Sequence, residues 1–299
     1  MTTILTRRAL VGSLAAGAGT ILSGCDRLGQ NEQFRALLAS GERGNYAFQR
    51  LLQDRTALAE EFAPSQRSPV FRANGTRMPG GTDYARHLAV NFNDWRLVVD
   101  GAVANPQAFS LDQIRAMPTR TQITRHDCVE GWSAIAKWHG VPLKLLLDRA
   151  GVSPQARFIV FHCADPQTNG TMYYESIDRI DAVHPQTILA WGINDQLLPV
   201  QNGAPLRLTT PWKYGFKSAK SLVKFTFTED RPKTFWEASG PGEYGFWANV
   251  NPKVPHPRWS QASERVLGSN ERVATQLFNG YEQYVAELYK GLENEKLYM

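Results

Sequence analysis

From Trp95 to Gly101 apolar and polar positions alternate and then stop at glycine, which predicts a half-buried strand. Arg157-Phe-Ile-Val-Phe-His-Cys163 is a denser apolar run and predicts a strand buried on both faces, as do Thr187–Trp191 and Leu222–Thr228. Ser110-Leu-Asp-Gln113 carries a capping-box pattern and opens a short helix whose apolar side holds Ile114 and Met117. Pro142 to Ala150, followed by Gly151, has proline at a helix start and glycine at its end. Near the end of the chain, Leu277, Tyr281, Tyr284, Val285, Leu288 and Leu292 recur at helical spacing, predicting a terminal helix from about Glu271 that docks on the core. Short strands and helices in this irregular order give a mixed α+β domain rather than a repeated βαβ unit. There is no Gly-rich phosphate loop of the nucleotide-binding type.

The pattern before residue 84 differs. Arg7-Arg8 precedes an apolar, small-residue run from Ala9 to Leu22, with no acid before Asp26. A charged stretch followed by so short a run predicts a signal peptide over residues 1–25, and the paired arginines point to the twin-arginine export route. The run closes on Leu22-Ser-Gly-Cys25, which resembles a lipobox; Cys25 is then either lipidated at the inner membrane or removed by ordinary cleavage nearby. Residues 26–83 are polar, with apolar residues at Phe34, Leu37, Leu38, Phe48, Leu51 and Leu52 that suggest short helices or a tether. Pro64–Pro69 and Met78–Gly81 predict extended loop. Dense structure is expected over 84–299.

Charge narrows the partners. The formal net charge is +5, and removing residues 1–25 takes away two arginines and no acid, leaving +3. With no Lys/Arg run interleaved with aromatics, nucleic acid is not an expected partner. Once Cys25 is set aside, Cys128 and Cys163 remain. In an oxidising compartment they form a disulfide, or one serves as a metal ligand or buried thiol, and spacing alone leaves all three open.

Three segments concentrate chemistry. In Arg125-His-Asp-Cys128-Val-Glu-Gly-Trp132-Ser a cysteine stands beside Arg125 and His126, side chains able to stabilise a thiolate, the soft ligand that selects transition metals. Gln201-Asn-Gly-Ala-Pro-Leu-Arg207 makes a turn and then offers a planar fork suited to an anion. Pro211-Trp-Lys-Tyr-Gly-Phe-Lys217-Ser-Ala-Lys220 brings three lysines and a glycine, which suit an anionic cofactor tail.

Together these segments resemble the sulfite oxidase-type molybdopterin oxidoreductases, and within them most closely the branch of periplasmic protein-methionine-sulfoxide reductase catalytic subunits. Tyr244-Gly-Phe-Trp-Ala-Asn-Val-Asn-Pro252 and His256-Pro-Arg-Trp-Ser-Gln-Ala262 extend the resemblance, which covers about residues 84–299. It implies the molybdopterin-binding fold of that family, with mixed sheets, surrounding helices and no C-terminal β-sandwich, and hence a monomer. It implies one Mo-molybdopterin per chain, with Cys128 as the metal's protein ligand and the catalytic centre. Asn202 and Arg207 match pterin-binding positions, and Ser218, Ala219 and Lys220 match the segment that grips the cofactor's phosphate end. Arg86 and His87 lie where such proteins carry an Arg-Asn-His turn, one residue of which differs here. Cys163 stands where the reductase has a cofactor-contacting threonine. The stretches His87–Asp94 and Asp165–Tyr174, both beside the expected substrate cleft, are shorter than in the reductase.

The implied activity is oxygen-atom transfer: reduction of protein-bound methionine sulfoxide or a related S-oxide, with electrons from a membrane haem-binding subunit. No haem-attachment Cys-x-x-Cys-His occurs in this chain. Two other readings follow from the same residues. One is oxidation of sulfite or another small oxyanion, which calls for several cations converging on the substrate. The other is a metal-free, lipid-anchored binding protein with a Cys128–Cys163 disulfide.

Overall fold

In the computed structural model, Leu58–Met299 forms one compact unit, distinct from residues 1–57. The structure describes residues 58–269 and 271–299, together with Asn31 and Gln33. The expected signal segment, Cys25 and the apolar positions from Phe34 to Leu52 lie outside the described residues.

Two β-sheets share one core. The first has the order β2 (Gln107–Ser110), β1 (Arg96–Gly101), β10 (Leu222–Thr228), β5 (Phe158–Pro166), β6 (Met172–Asp178). Only β1 and β10 run parallel in it. In β1 the period-2 pattern holds: Leu97 and Val99 turn inward while Arg96 and Val98 turn out. The second sheet is built on β4 (Trp132–Pro142). Along its whole length β4 pairs with β3 (Arg120–Cys128), from Arg120 opposite Gly140 to Cys128 opposite Trp132. On its other edge lie β11 (Ser263–Val266), parallel, and β7 (Ile188–Ile193), antiparallel. β12 (Arg272–Ala274) extends β11, while β8 (Gln196–Leu197) and β9 (Arg207–Thr209) both pair with β7.

The main core lies where both sheets contribute. Leu97, Phe161 and Phe225 from the first sheet belong to the same buried cluster as Val141, Leu189 and Leu208 from the second. Helices seal it. α1 (Thr82–Ala89) contributes Tyr84. α2 (Leu111–Arg115) starts at the predicted capping box, in which Ser110 accepts from Gln113 N and Gln113 accepts from Ser110 N, and it buries Leu111 and Ile114. α3 (Leu143–Ala150) follows Pro142 and closes on Gly151, whose φ of 61° is the left-handed conformation that glycine adopts without a Cβ penalty. α4 (Arg179–Ala182) and α5 (Phe235–Ser239) are single turns.

Two expectations need correction. The spacing after Glu271 predicts a continuous helix, but residues 272–274 form β12 and the rest breaks into short turns around α6 (Glu282–Val285). Phe278 and Asn279 take φ values of 49° and 53°, outside the helical region, so helical spacing here serves a wrapped segment. That segment still buries Phe278, Tyr281, Val285 and Tyr289 against Trp212 and Phe246, as a docked terminus should. Residues 58–83, expected to be a tether, instead belong to the folded unit. Ala59 N donates to Gln186 Oε1 at 3.0 Å, Arg120 pairs with Glu61 at 2.7 Å, and Ser68 exchanges two bonds with Ile135. Among the described residues no separate β-sandwich is present, and no helix is long and apolar enough to cross a membrane.

Candidate active site

Side chains alternate along β3, so His126 and Cys128 share the face that borders a cavity of about 540 Å3. Arg125 and Asp127 lie on the other face. There Arg125 pairs with Glu264 at 3.2 Å, its guanidinium 5.1 Å from the Phe62 ring centre. Sequence spacing makes Arg125 and His126 stabilisers of a thiolate, but the structure assigns them other duties. His126 is half-buried, and desolvation of its ring with the nearby charge of Arg207 lowers its pKa from 6.5 to about 3, so it is neutral. The Cys128 thiol is itself pushed up, chiefly by burial; a backbone bond from Glu130 and the charge of Arg72 pull the other way without offsetting it. Cys128 is therefore a protonated thiol in this environment. Its sulfur also accepts a hydrogen bond from Asn74 Nδ2 at 3.5 Å.

Gly215 permits this floor to close. A Cβ at that position would lie 2.2 Å from His126 Nε2, so the glycine in the Tyr214-Gly-Phe216 turn serves a close approach to His126.

Arg207 enters the same cavity from β9 and organises two of the loops that line it. Its Nη1 donates to Asn202 O at 3.0 Å and its Nη2 to Ser218 O at 3.1 Å, with the guanidinium 4.9 Å from the Trp138 ring centre. The fork expected to hold an anion thus binds two backbone carbonyls. It joins the Gln201–Gly203 turn to the Ser218–Lys220 segment, which are separate in sequence but adjacent in space. Burial lowers the arginine's pKa to about 10, which leaves it charged at neutral pH. Asn202, Ser218, Ala219 and Lys220 all line the same cavity. Asn202 Nδ2 is buried there without a partner.

Of the three lysines, only Lys220 faces the cavity. It bonds to Thr76 O, to Gln201 O at 3.2 Å, and approaches Asp165 Oδ1 at 3.5 Å. Lys213 and Lys217 are fully buried in ion pairs with Asp181 at 2.9 Å and Glu175 at 2.6 Å. They build the core and do not serve an anionic tail.

Three expected contacts fall outside the cavity wall. Arg86 and His87, on α1, both pair with Asp94, Arg86 largely exposed. Cys163 points into the main core, 2% exposed. It is a free thiol, as is Cys128, so the disulfide of the binding-protein reading is not formed. Conversely, the structure adds Arg72, Asn74 and Thr76 to the wall, from the stretch read as tether. The only sequence signal there is the turn dipeptide Asn74-Gly75. Asp165, Gln167 and Tyr173 also reach the cavity, from the Asp165–Tyr174 stretch expected beside the substrate.

Residues 85–236 match the family described as the oxidoreductase molybdopterin binding domain. The chain is also 43% identical, over 219 residues, to the protein-methionine-sulfoxide reductase catalytic subunit MsrP of Campylobacter jejuni, covering 69% of this chain and 74% of that one. The chain belongs to the molybdopterin-binding oxidoreductases. Among solved structures, the sulfane dehydrogenase SoxCD of Paracoccus pantotrophus overlaps with a TM-score of 0.46 and 21% identity, covering 57% of this chain and 46% of that one, so this chain spans less than half of that chain's length.

The wall fits the cofactor of a molybdopterin-binding oxidoreductase. Among the described residues no cluster of three or more His, Cys, Asp or Glu side chains is arranged to hold a metal ion. A metal at Cys128 would therefore draw its remaining donors from the cofactor, as a dithiolene does. The unpartnered amide of Asn202 offers donors, and Lys220 adds positive charge, to an anionic, heteroatom-rich ligand in the same cavity.

Proposed function

We propose that this molybdopterin-binding oxidoreductase reduces protein-bound methionine sulfoxide, or a related S-oxide, to the corresponding thioether. The balance is one sulfoxide, two electrons and two protons giving one thioether and one water. When bound, the molybdenum cofactor supplies the oxygen-atom transfer. The protein's residues hold, orient and shield it. Cys128 is the protein ligand to the metal, its sulfur oriented by Asn74. Asn202, the Ser218–Lys220 segment and the Arg207 clamp between them hold the pterin and its phosphate. His126, kept neutral by desolvation of its ring, fills the floor without adding charge beside the metal.

The observation that carries the reading is that Cys128 lines the same cavity as the Arg207-clamped pair of loops. The kinship to the Campylobacter reductase supports the choice of substrate. Arg7-Arg8 and the apolar run behind them support export to the periplasm by the twin-arginine route, where Cys25 would tether the enzyme to the inner membrane. Electrons would come from a membrane haem-binding subunit.

The test uses purified, molybdenum-loaded protein with a reduced dye as donor, given methionine sulfoxide in one arm and sulfite with an oxidised acceptor in the other. We expect turnover in the first arm and about one molybdenum per chain. Cys128→Ala should bring turnover below detection. Full activity in that variant, or turnover with sulfite alone, would overturn the assignment.

A further inference from the structure

Besides Phe71 and Tyr173, the cavity that holds Cys128 is lined by four aromatic rings that form one run of contacts: Phe216, Trp236, Tyr244 and Trp259. None of them figures in holding the cofactor. Each is half-buried, an intermediate exposure that fits rings facing a cleft. They come from separate stretches of chain yet touch in sequence. Phe216 and Tyr244 meet with ring centres 5.5 Å apart, Trp236 and Tyr244 at 4.9 Å, Tyr244 and His256 at 5.6 Å, and His256 stacks on Trp259 at 3.9 Å.

The far end of this chain of rings is fixed to the catalytic floor. Trp259 Nε1 donates to Val129 O at 2.7 Å, one residue from Cys128. At the other end Trp236 packs edge-on against Phe235, whose helix α5 is capped by Thr234 and Glu237. The wall is thus built rigidly before any ligand arrives, which lowers the entropy cost of filling it. Its charged member, Arg258, is already matched: Nη2 lies 2.8 Å from Glu243 and the guanidinium 4.8 Å from the Trp259 ring centre. A small free oxyanion would exchange its water for ring faces here. A side chain with methylenes and a methyl group flanking the sulfoxide would gain apolar contact along its length against these rings.

We infer that Phe216, Trp236, Tyr244 and Trp259 form the subsite that grips the side chain of a peptide-borne methionine sulfoxide. The oxygen is presented toward the Cys128 end, and Trp236 and Tyr244 set selectivity for that side chain over smaller sulfoxides. This rests on the sulfoxide-reductase reading above.

The test compares N-acetylmethionine sulfoxide amide with dimethyl sulfoxide on holoenzyme. Dimethyl sulfoxide has the methyl groups but lacks the rest of the side chain. Because one methylene in an apolar pocket is worth roughly 10-fold in selectivity, Trp236→Ala and Tyr244→Ala should each lower the ratio of kcat/KM values, amide over dimethyl sulfoxide, about 10-fold. The change should fall mainly on KM for the amide, and Trp236→Phe should restore most of it. Calorimetry with the product, N-acetylmethionine amide, provides a readout free of turnover: wild-type holoenzyme should bind it, and Trp236→Ala at least about 10-fold more weakly. An unchanged selectivity ratio in both alanine variants, or product binding by neither wild type nor variant, would overturn the subsite. Failure of wild type to reduce either sulfoxide would sink the functional reading instead, and the calorimetric arm would still decide the subsite.

Discussion

At the scale of single residues, the site is defined as much by what is absent as by what reacts. Gly215 has no side chain because the His126 ring occupies that space, and His126 is wedged between Phe71, 5.4 Å away, and Trp132, 6.2 Å away. An added methyl must displace a ring that packs beside Cys128, two residues along the same strand face. We expect Gly215→Ala to lower stability by about 1–3 kcal/mol, the usual range for overpacking, and to reduce molybdenum retention below that of wild type. Urea midpoints and metal content per chain measure the two effects. If both match wild type, the close approach is not structural. Arg207 illustrates the complementary case, a charge whose donors all go to its own protein. It fastens the loops on either side, those proposed to hold the cofactor.

At the scale of elements, Cys128 sits where the β3–β4 hairpin turns, and the turn is held from outside. Gln261 Nε2 and Trp259 Nε1 both donate to Val129 O at 2.7 Å, and Arg265 N donates to Gly131 O at 3.0 Å. A loop from the C-terminal region thus positions the turn that carries Cys128, the proposed metal ligand. Gln261→Met keeps the length and loses the donor, removing a hydrogen bond worth about 0.5–1.5 kcal/mol. We expect a shifted molybdenum midpoint potential with molybdenum content near wild type, since the turn relaxes while the cradle stays. An unmoved potential would make Gln261 a packing residue only. Much of this framework was legible in the chain: the capping box at Ser110, the helix stop at Gly151 and the apolar runs of β5, β7 and β10 each carry a local signal. β3 does not, because its inward positions include Gln122 and Thr124, which are buried and polar, so hydrophobic alternation fails where the fold is most functional. Asn279-Gly280 was a turn signal within an apolar repeat, and the turn prevailed over the repeat. Arg72 and Asn74 were unreadable for a different reason, since only tertiary folding brings that loop to the cavity.

At the scale of the whole molecule, the C-terminal segment is joined to the two-sheet core through a buried polar cluster under Trp212. Tyr289 OH donates to Asp181 at 2.5 Å and accepts from Trp212 Nε1 at 2.8 Å and Lys213 Nζ at 3.0 Å. His184 packs edge-on against the same indole, ring centres 4.7 Å apart, and its Nδ1 accepts from Gln186 N, which requires the neutral ring. Burial lowers its pKa from 6.5 to about 4; Asp181 opposes the shift and Arg120 adds to it. The folded protein therefore holds fewer protons at this position than the unfolded chain between those two values. Stability must rise with pH across that window and be lost as pH falls through it. Over about 2.5 units at about 1.4 kcal/mol per unit, His184 costs the fold about 3 kcal/mol by the time pH reaches 4. Buried carboxyl groups such as Glu175, whose own pKa is raised by burial, act with the opposite sign, so the total acid response mixes both. The difference between variants isolates the histidine. His184→Asn keeps a side-chain acceptor near Gln186 N and cannot charge. Urea titrations at pH 7 and pH 4.5 should show a smaller acid-induced loss in the variant than in wild type, by about 2 kcal/mol, whatever the variant's offset at pH 7. Equal losses in the two proteins would mean that His184 is already protonated in the fold, and that the indole of Trp212 shields it less than its burial implies.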